Sequence, residues 1–248
     1  MRRQLLAASL ALSFALPSAA ETLDEVVARS FEARGGLEKL RAVKSMRFTG
    51  KMTSGPMEAP AVYEAKRPNK SRLDATIQGL TMTQAFDGQV GWQVVPFQGN
   101  KDPQPMSPEE QQIAEEESDF DGPLVDYKEK GHQVELLGKE KVEGTDAWKL
   151  RVTRRSGTVE TLYLDADNYL AIKGESRRTM RGTEVESEQT IGDYKEVEGL
   201  LIPHSFESSQ KGHAQRQRIT IEKVELNVPI DDARFAMPVK AGEPVKQD

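Results

Sequence analysis

The spacing of apolar residues changes once along the chain, from a helical period to strict alternation, near residue 45. Between Leu23 and Val43, apolar residues recur every three or four positions, which predicts a helix that begins after Thr22 and a short second helix beyond Gly35-Gly36. From Ser45 onward, apolar and polar residues alternate, as in strands that bury one face.

Five alternating segments lie between Ser45 and Val94, and turn sequences such as Asp87-Gly88 separate them. Short loops between successive strands predict an antiparallel meander. The stretch Pro96–Pro108 holds four prolines and cannot pair as a central strand, because proline has no amide hydrogen to donate.

A helix is predicted over Ser107–Tyr127, with Ser107 as N-cap and Pro108 at the first helical position. Alternation resumes near Val134 and continues to Leu226. About eleven strands without a linker predict one mainly β (α+β) domain, in which helices or a ligand cover the apolar face of the sheet.

The first twenty residues have the pattern of a Sec-type signal peptide: Arg2 and Arg3, an apolar run over Leu5–Leu16, and small residues up to Ala20. We therefore expect cleavage near Ala20 and a mature protein in the periplasm. The chain has no cysteine, so it has no disulfide and no cysteine for lipid attachment. Residues 241–248 are expected to be a disordered tail.

Composition and motifs exclude several classes of function. The net charge of −6 argues against bulk attraction to nucleic acid or to an anionic membrane. The histidines His132, His204 and His213 lack metal-ligand spacing, no G-x-S-x-G motif is present, and Glu115–Glu117 is typical of a solvated helix face. We predict no metal, no cofactor and no catalytic activity.

Methionines and aromatic residues are concentrated in the first meander. They include Met46, Phe48, Met52, Met82, Phe86 and Trp92. Such side chains fill irregular space and adapt to flexible acyl chains. Alternation alone does not distinguish a filled core from an open cavity, so both interpretations stand at this point.

Two motifs add a resemblance. Lys66-Arg67-Pro68-Asn69 stands at a strand junction, and Asp87-Gly88-Gln89-Val90-Gly91-Trp92 follows across one hairpin, with Pro96-Phe97 behind it. These motifs, and the order of leading helix, five strands, helical insertion and remaining strands, resemble the LolA-like periplasmic lipoprotein carriers and outer-membrane lipoprotein-sorting proteins. The resemblance covers most of residues 23–237, and we expect residues 21–240 to form one domain.

The resemblance implies a half-barrel: a single, strongly curved antiparallel sheet that forms an incomplete barrel, with helices as a lid over its open side. Acyl chains would enter between lid and sheet, and Arg67 would tether the closed lid. The residues expected to line the lipid cavity are Met46, Phe48, Met82, Phe86, Trp92, Val94, Phe120, Leu124, Trp148 and Leu162.

The implied function is that of a monomeric periplasmic carrier, which binds the acyl chains of a lipoprotein or lipid and shuttles them between membranes. Its partners would be transport proteins of the inner and outer membranes, and no nucleic acid is expected. A second possibility is a periplasmic sensor that uses the same fold to report envelope state to a membrane protein.

Overall fold

A computed structural model describes residues 21–180 and 182–238. The predicted signal peptide, residues 1–20, and the predicted tail, residues 241–248, lie outside the described residues. In the part that is described, no helix has the length and apolar character needed to cross a membrane.

The described residues form three α-helices: α1 Leu23–Ala33, α2 Leu37–Ala42 and α3 Pro108–Glu117. They also form thirteen strands: β1 Ser45–Ser54, β2 Met57–Lys66, β3 Lys70–Ile77, β4 Leu80–Phe86, β5 Gly91–Val95, β6 Asn100–Pro105, β7 Gln133–Val142, β8 Thr145–Thr153, β9 Val159–Asp165, β10 Ala171–Met180, β11 Thr183–Val197, β12 Leu200–Gln210 and β13 Arg216–Leu226. Short 3-10 turns occupy Pro96–Gln98 and Asp232–Arg234.

Both predicted helix starts are confirmed. The Thr22 hydroxyl accepts a hydrogen bond from the Glu25 amide, and the Glu25 carboxylate accepts one from the Thr22 amide. Ser107 and Glu110 form the same reciprocal capping box ahead of α3. Each box satisfies amides that a helix leaves without an internal partner, so the sequence fixes where these helices begin.

All strands belong to one antiparallel sheet built from two meanders. Strands β1 to β6 follow one another in space, as do β7 to β13, and pairing between β1 and β13 joins the two series. The sheet does not close, because β6 and β7 remain at its two edges. The proline-rich β6 takes an edge position, where proline is tolerated.

The connection from β6 to β7 crosses the face of the sheet that carries Met46 and Phe48, which we call the inner face. It consists of α3 and a covering segment, residues 118–131. Ser118 hydrogen-bonds to Ser71 of β3 over 2.5 Å, while Glu116 contacts Thr158, which directly precedes β9. The connection therefore spans the opening between the two halves of the sheet.

The covering segment corrects the predicted helix over Ser107–Tyr127. Only Pro108–Glu117 is helical, and residues 118–131 form a series of turns. Gly122 adopts a positive φ of 76° and Pro123 follows it, so helical hydrogen bonding cannot continue. The segment is nevertheless anchored, because Val125 is fully buried.

A filled core lies beneath α1. Val26 of α1 and Leu150 of β8 are both 0% exposed, and the cluster is completed by Val27, Trp148, Leu164 and Tyr169. The helix thus packs directly on β8 and β9, at one end of the inner face.

Candidate functional site

A cavity of about 630 Å³ lies between the inner face and the covering segment. Its floor is formed by β1, β2, β3, β11, β12 and β13, while α2, the end of α3 and residues 119–122 border it. Its apolar lining includes Met46, Phe48, Met52, Leu73, Phe206 and Ile219. The volume is within the range of about 300–1,000 Å³ that is usual for small-molecule sites.

Strand register brings the apolar lining together. Phe48 pairs with Tyr63, and Tyr63 pairs with Leu73, so three neighbouring strands direct these side chains to the same face. A bulge between Thr49 and Gly50 shifts the pairing with β13 by one residue. The shift keeps apolar residues of β13 on the inner face where unbroken alternation would turn them outward.

Gly50 allows β1 and β13 to pair closely at this bulge. A Cβ atom at residue 50 would lie 2.0 Å from the carbonyl oxygen of Thr220, a separation that no side chain can adopt. The glycine therefore lets β1 and β13 approach at the middle of the cavity floor.

Arg67, at the junction of β2 and β3, connects α2 to the covering segment. Its Nε donates to the Val43 carbonyl over 2.6 Å, and its Nη2 donates to the Leu40 carbonyl over 3.1 Å. The two Nη atoms also bind both carboxylate oxygens of Asp121, each over 2.6 Å. The guanidinium stacks 4.5 Å from the ring centre of Phe120.

The electrostatics of the Arg67–Asp121 pair favour the charged state. Partial burial acts to raise the pKa of Asp121, but the hydrogen bonds and charge of Arg67 outweigh it and lower that pKa overall. A bidentate pair of this kind combines charge with fixed geometry, so it holds Asp121 in one orientation.

Seven charged side chains line the cavity, and all but one have a partner within the protein. Their shared feature is a short contact to an oppositely charged or hydroxyl group: Lys51 to Glu58, Glu116 to Thr158, Glu117 to Arg178, Asp119 to Lys130, Asp121 to Arg67, and Arg154 to Glu160. The exception is Arg34.

Glu117 projects into the cavity. Its side chain is 68% exposed, yet burial by the surrounding protein raises its pKa above the ordinary value. The charge of Arg178, whose Nη1 lies 3.6 Å from the Glu117 carboxylate, opposes this effect of burial. Burial, and the charge of Glu117, likewise raise the pKa of Tyr63 on the cavity floor.

The structure places the sequence-predicted residues in three groups. Met46, Phe48 and Phe120 line the cavity, and Arg67 contacts Phe120 at its border. Trp148, Leu162 and Leu124 belong to the filled core under α1 instead. There α1 occupies the space above the sheet, so these side chains pack on the helix.

The remaining predicted residues lie on β4 and β5, outside the lining. Phe86 pairs with Gly91, whereas Ala85 pairs with Trp92, so Phe86 and Trp92 occupy opposite faces of the sheet. Phe86 is buried on the inner face, on strands that α3 covers. Met82 shares that face, and Val94 shares the outer face with Trp92.

Trp92 packs under the C-terminal segment. It is 1% exposed, and its Nε1 donates to the Phe235 carbonyl over 2.7 Å. Arg72 stacks on its ring, and Arg72 also donates to the Arg234 carbonyl over 2.9 Å. On the outer face, Trp92 is thus covered by the C-terminal segment of the protein itself.

Two functional candidates were missed by sequence reasoning, Asp121 and Arg34. Asp121 lies 54 residues from Arg67, and no local pattern connects them. Arg34 follows the last turn of α1, and its sequence position is that of an ordinary residue at the end of a helix. Among the described residues, no three histidine, aspartate or glutamate side chains are grouped so as to hold a metal ion.

Comparisons with known proteins identify the fold. No family model matches the chain, and no curated protein is significantly similar to it in sequence. A LolA superfamily protein from Nitrosomonas europaea superimposes with a TM-score of 0.58 at 15% identity, covering 88% of this chain and 98% of that one. A putative outer membrane lipoprotein-sorting protein domain from Vibrio parahaemolyticus gives 0.55 at 12%, covering 84% and 97%.

A third solved structure, a DUF1329 family protein from Desulfovibrio piger, gives a TM-score of 0.58 at 10% identity and covers 88% of this chain and 98% of that one. The chain therefore has the LolA-like fold. The open thirteen-stranded sheet with its covering helices confirms the predicted half-barrel. At these identities the likeness concerns the fold alone.

Proposed function

We propose that this protein is an exported carrier of the LolA-like group, which binds the acyl chains of a lipid or lipoprotein in the cavity and moves them between membranes. The observation that carries the proposal is the apolar cavity of about 630 Å³ under a covering segment fixed by directional polar contacts. A space closed by hydrogen bonds can reopen without unfolding the sheet.

Acyl-chain burial supplies enough free energy for binding. Each methylene group removed from water contributes about 0.8 kcal/mol, so a chain of several buried methylenes offsets the cost of association. The lining suits such a ligand, because Met46 and Met52 are flexible and Phe48 offers a broad apolar surface.

In this proposal the covering segment is the lid, and Arg67 is its tether. The guanidinium holds two carbonyl groups near the end of α2 together with the Asp121 carboxylate, so one side chain joins two pieces of the cover. Arginine suits this role because its fork of donors binds several acceptors at fixed angles and remains charged at all physiological pH values.

Location and partners are part of the proposal. Arg2, Arg3 and the apolar run behind them support export to the periplasm, with cleavage near Ala20. The cargo would come from one membrane protein and pass to another, with no cofactor or catalytic step in the carrier itself.

Binding can be tested with a tryptophan placed in the cavity. We expect Phe48→Trp to show a blue shift and a rise in emission when it is titrated with a long-chain fatty acid or a lipopeptide. The two native tryptophans are buried against other residues of the protein, so the emission of the unsubstituted protein should change far less. An equal change in both proteins would place the ligand elsewhere.

Transport requires a second measurement. Protein recovered from the periplasm should release bound lipid on organic extraction, and it should move a labelled lipopeptide from donor to acceptor vesicles. Binding without transfer would favour the sensor, and absence of both extracted lipid and titratable binding would contradict the proposal.

A further inference from the structure

Arg34 is the one charged side chain of the cavity lining that has no partner among the described residues. No described residue accepts a hydrogen bond from its guanidinium or forms an ion pair with it. The nearby Asp121 has both carboxylate oxygens bound to Arg67, and the nearby Tyr194 hydroxyl donates to the Ala171 carbonyl over 2.8 Å. The groups closest to Arg34 are thus committed elsewhere.

The backbone holds Arg34 firmly at this position. The Leu201 amide donates to the Arg34 carbonyl over 3.0 Å, which fixes the end of α1 against β12. Gly35 has a φ of 111°, and a Cβ atom at that residue would lie 2.3 Å from the Gly199 carbonyl oxygen. Only glycine permits this contact, so the turn after α1 delivers the arginine to the cavity.

An unpaired cation in such a place is costly unless a ligand compensates it. Burial lowers the pKa of Arg34, and the charges of the nearby Tyr194 and Asp121 offset that effect only in part. Arginine nevertheless stays protonated at neutral pH. The guanidinium of Arg34 lines a largely apolar cavity and has hydrogen-bond donors that no described residue uses, so it is complementary to an amphiphile with one anionic group.

We propose that Arg34 binds the anionic group of an amphiphilic ligand, a carboxylate or a phosphate, while the ligand's acyl chain occupies the apolar lining. This inference rests on the proposed lipid-binding function and deepens it by naming the ligand class. The shared chemistry is a negatively charged oxygen group on a hydrocarbon chain. A fatty acid or a phospholipid could supply it.

The test compares ligands that differ only at the head group. Palmitate, hexadecyl phosphate and methyl palmitate would each be titrated to displace a neutral fluorescent probe from the purified protein. Inorganic phosphate is the control ligand that has no acyl chain. We expect either or both anionic ligands to bind about 10- to 100-fold more tightly than the methyl ester, as a charged hydrogen bond predicts. The better of the two indicates the source of the group.

Two variants make the test specific. In Arg34→Gln the preference for the anionic ligand over the ester should fall to within about threefold, while affinity for the ester stays unchanged and confirms an intact cavity. Arg29→Gln removes the same charge from an exposed position on α1 and should keep the full preference.

Three outcomes would overturn the inference. An unchanged preference in Arg34→Gln would mean that another group binds the anion. Equal losses for acid and ester would mean that Arg34 acts on the cover through Asp121 rather than on the ligand. If the ester binds as tightly as palmitate and hexadecyl phosphate, the protein binds lipid but Arg34 does not select an anionic group, and this inference alone is wrong. If no ligand with an acyl chain displaces the probe, both this inference and the proposed lipid-binding function are wrong.

Discussion

Two regions of one inner face are covered by different means. Over β8 and β9, α1 packs directly on the sheet, and Val26 and Leu150 are 0% exposed. Over β1 to β3 the cover touches the sheet in places but leaves an open cavity beside it, and Arg67 is 25% exposed at the border of that cavity. The first region is stabilised mainly by apolar burial, which has no preferred direction. In the second region Phe120 packs on the buried cluster of Val43 and Leu200, and Arg67 adds hydrogen bonds, which are directional.

The difference explains how a sheet can contain a cavity without collapsing onto it. Apolar surfaces alone would close together, because every contact they gain removes area from water. The Arg67 guanidinium joins the end of α2 to Asp121 through hydrogen bonds of defined geometry, which position this part of the cover beside the cavity.

The largest expected effect is on stability, and it is measured by making the same leucine-to-alanine substitution in each of the two regions. Leu150→Ala should lower the free energy of unfolding by about 2–5 kcal/mol, because it creates a cavity in a filled core. Leu73→Ala should cost less than about 1.5 kcal/mol, since its side chain already borders empty space. Urea denaturation measures both.

Ligand binding should show the reverse order in these variants. Leu73→Ala removes part of the proposed acyl-chain site and should weaken fatty-acid affinity, whereas Leu150→Ala should leave affinity unchanged at temperatures where it is folded. Equal stability losses would mean that the cavity is as tightly packed as the core, and the contrast between the regions would disappear.

A smaller effect is expected from Arg67→Leu. Loss of its hydrogen bonds should shift the lid toward the open state by about 1.5–3 kcal/mol, and ligand release should accelerate by about 10- to 100-fold. The side chain is only 25% exposed and has several partners, so some stability is lost as well, unlike at an ordinary strand-end arginine.

The matched control is Arg151→Leu, which breaks the exposed ion pair of Arg151 with Glu135 on β7. Exposed pairs contribute less than about 1 kcal/mol, so stability and release rate should both stay near their original values. If Arg67→Leu releases ligand at the original rate, the tether is refuted even when its melting temperature falls.

Much of the architecture could be predicted because it depends on local patterns. The capping residues Thr22 and Ser107 mark helix starts, and alternation marks strands. Which face a strand buries depends on the length of the preceding turn. The turn Asp87–Val90 pairs Phe86 with Gly91, so Trp92 turns to the outer face although Phe86 stays on the inner one.

The candidate site depends on contacts that no local pattern contains. Arg67, the predicted tether, binds Asp121 in the folded protein, and no local sequence pattern identifies that partner. Arg34 was missed for the same reason: its unusual property is the absence of a partner among the described residues, and that property exists only once the cavity is formed.

The smallest expected effect is that of acidic pH on ligand release, and it distinguishes Asp121, the partner of Arg67, from other carboxylates of the cavity lining. The pKa of Asp121 is lowered in the folded protein, so its contribution to stability is complete above its ordinary pKa of about 3.9 and is lost as the pH falls through the lowered value. Glu117 has a raised pKa, so its protonation on acidification, through that raised value, favours the folded state.

Release of bound fatty-acid methyl ester should therefore be insensitive to Asp121 between pH 7 and pH 5 and accelerate only below about pH 4. The ester carries no charge, so the ligand itself does not titrate. In Asp121→Asn release should already be fast at pH 7, and the step below pH 4 should be absent. Glu117→Gln should keep that step. An acid step of equal size in Asp121→Asn would assign the titration to another group, and the directional tether would no longer distinguish the cavity region from the filled core.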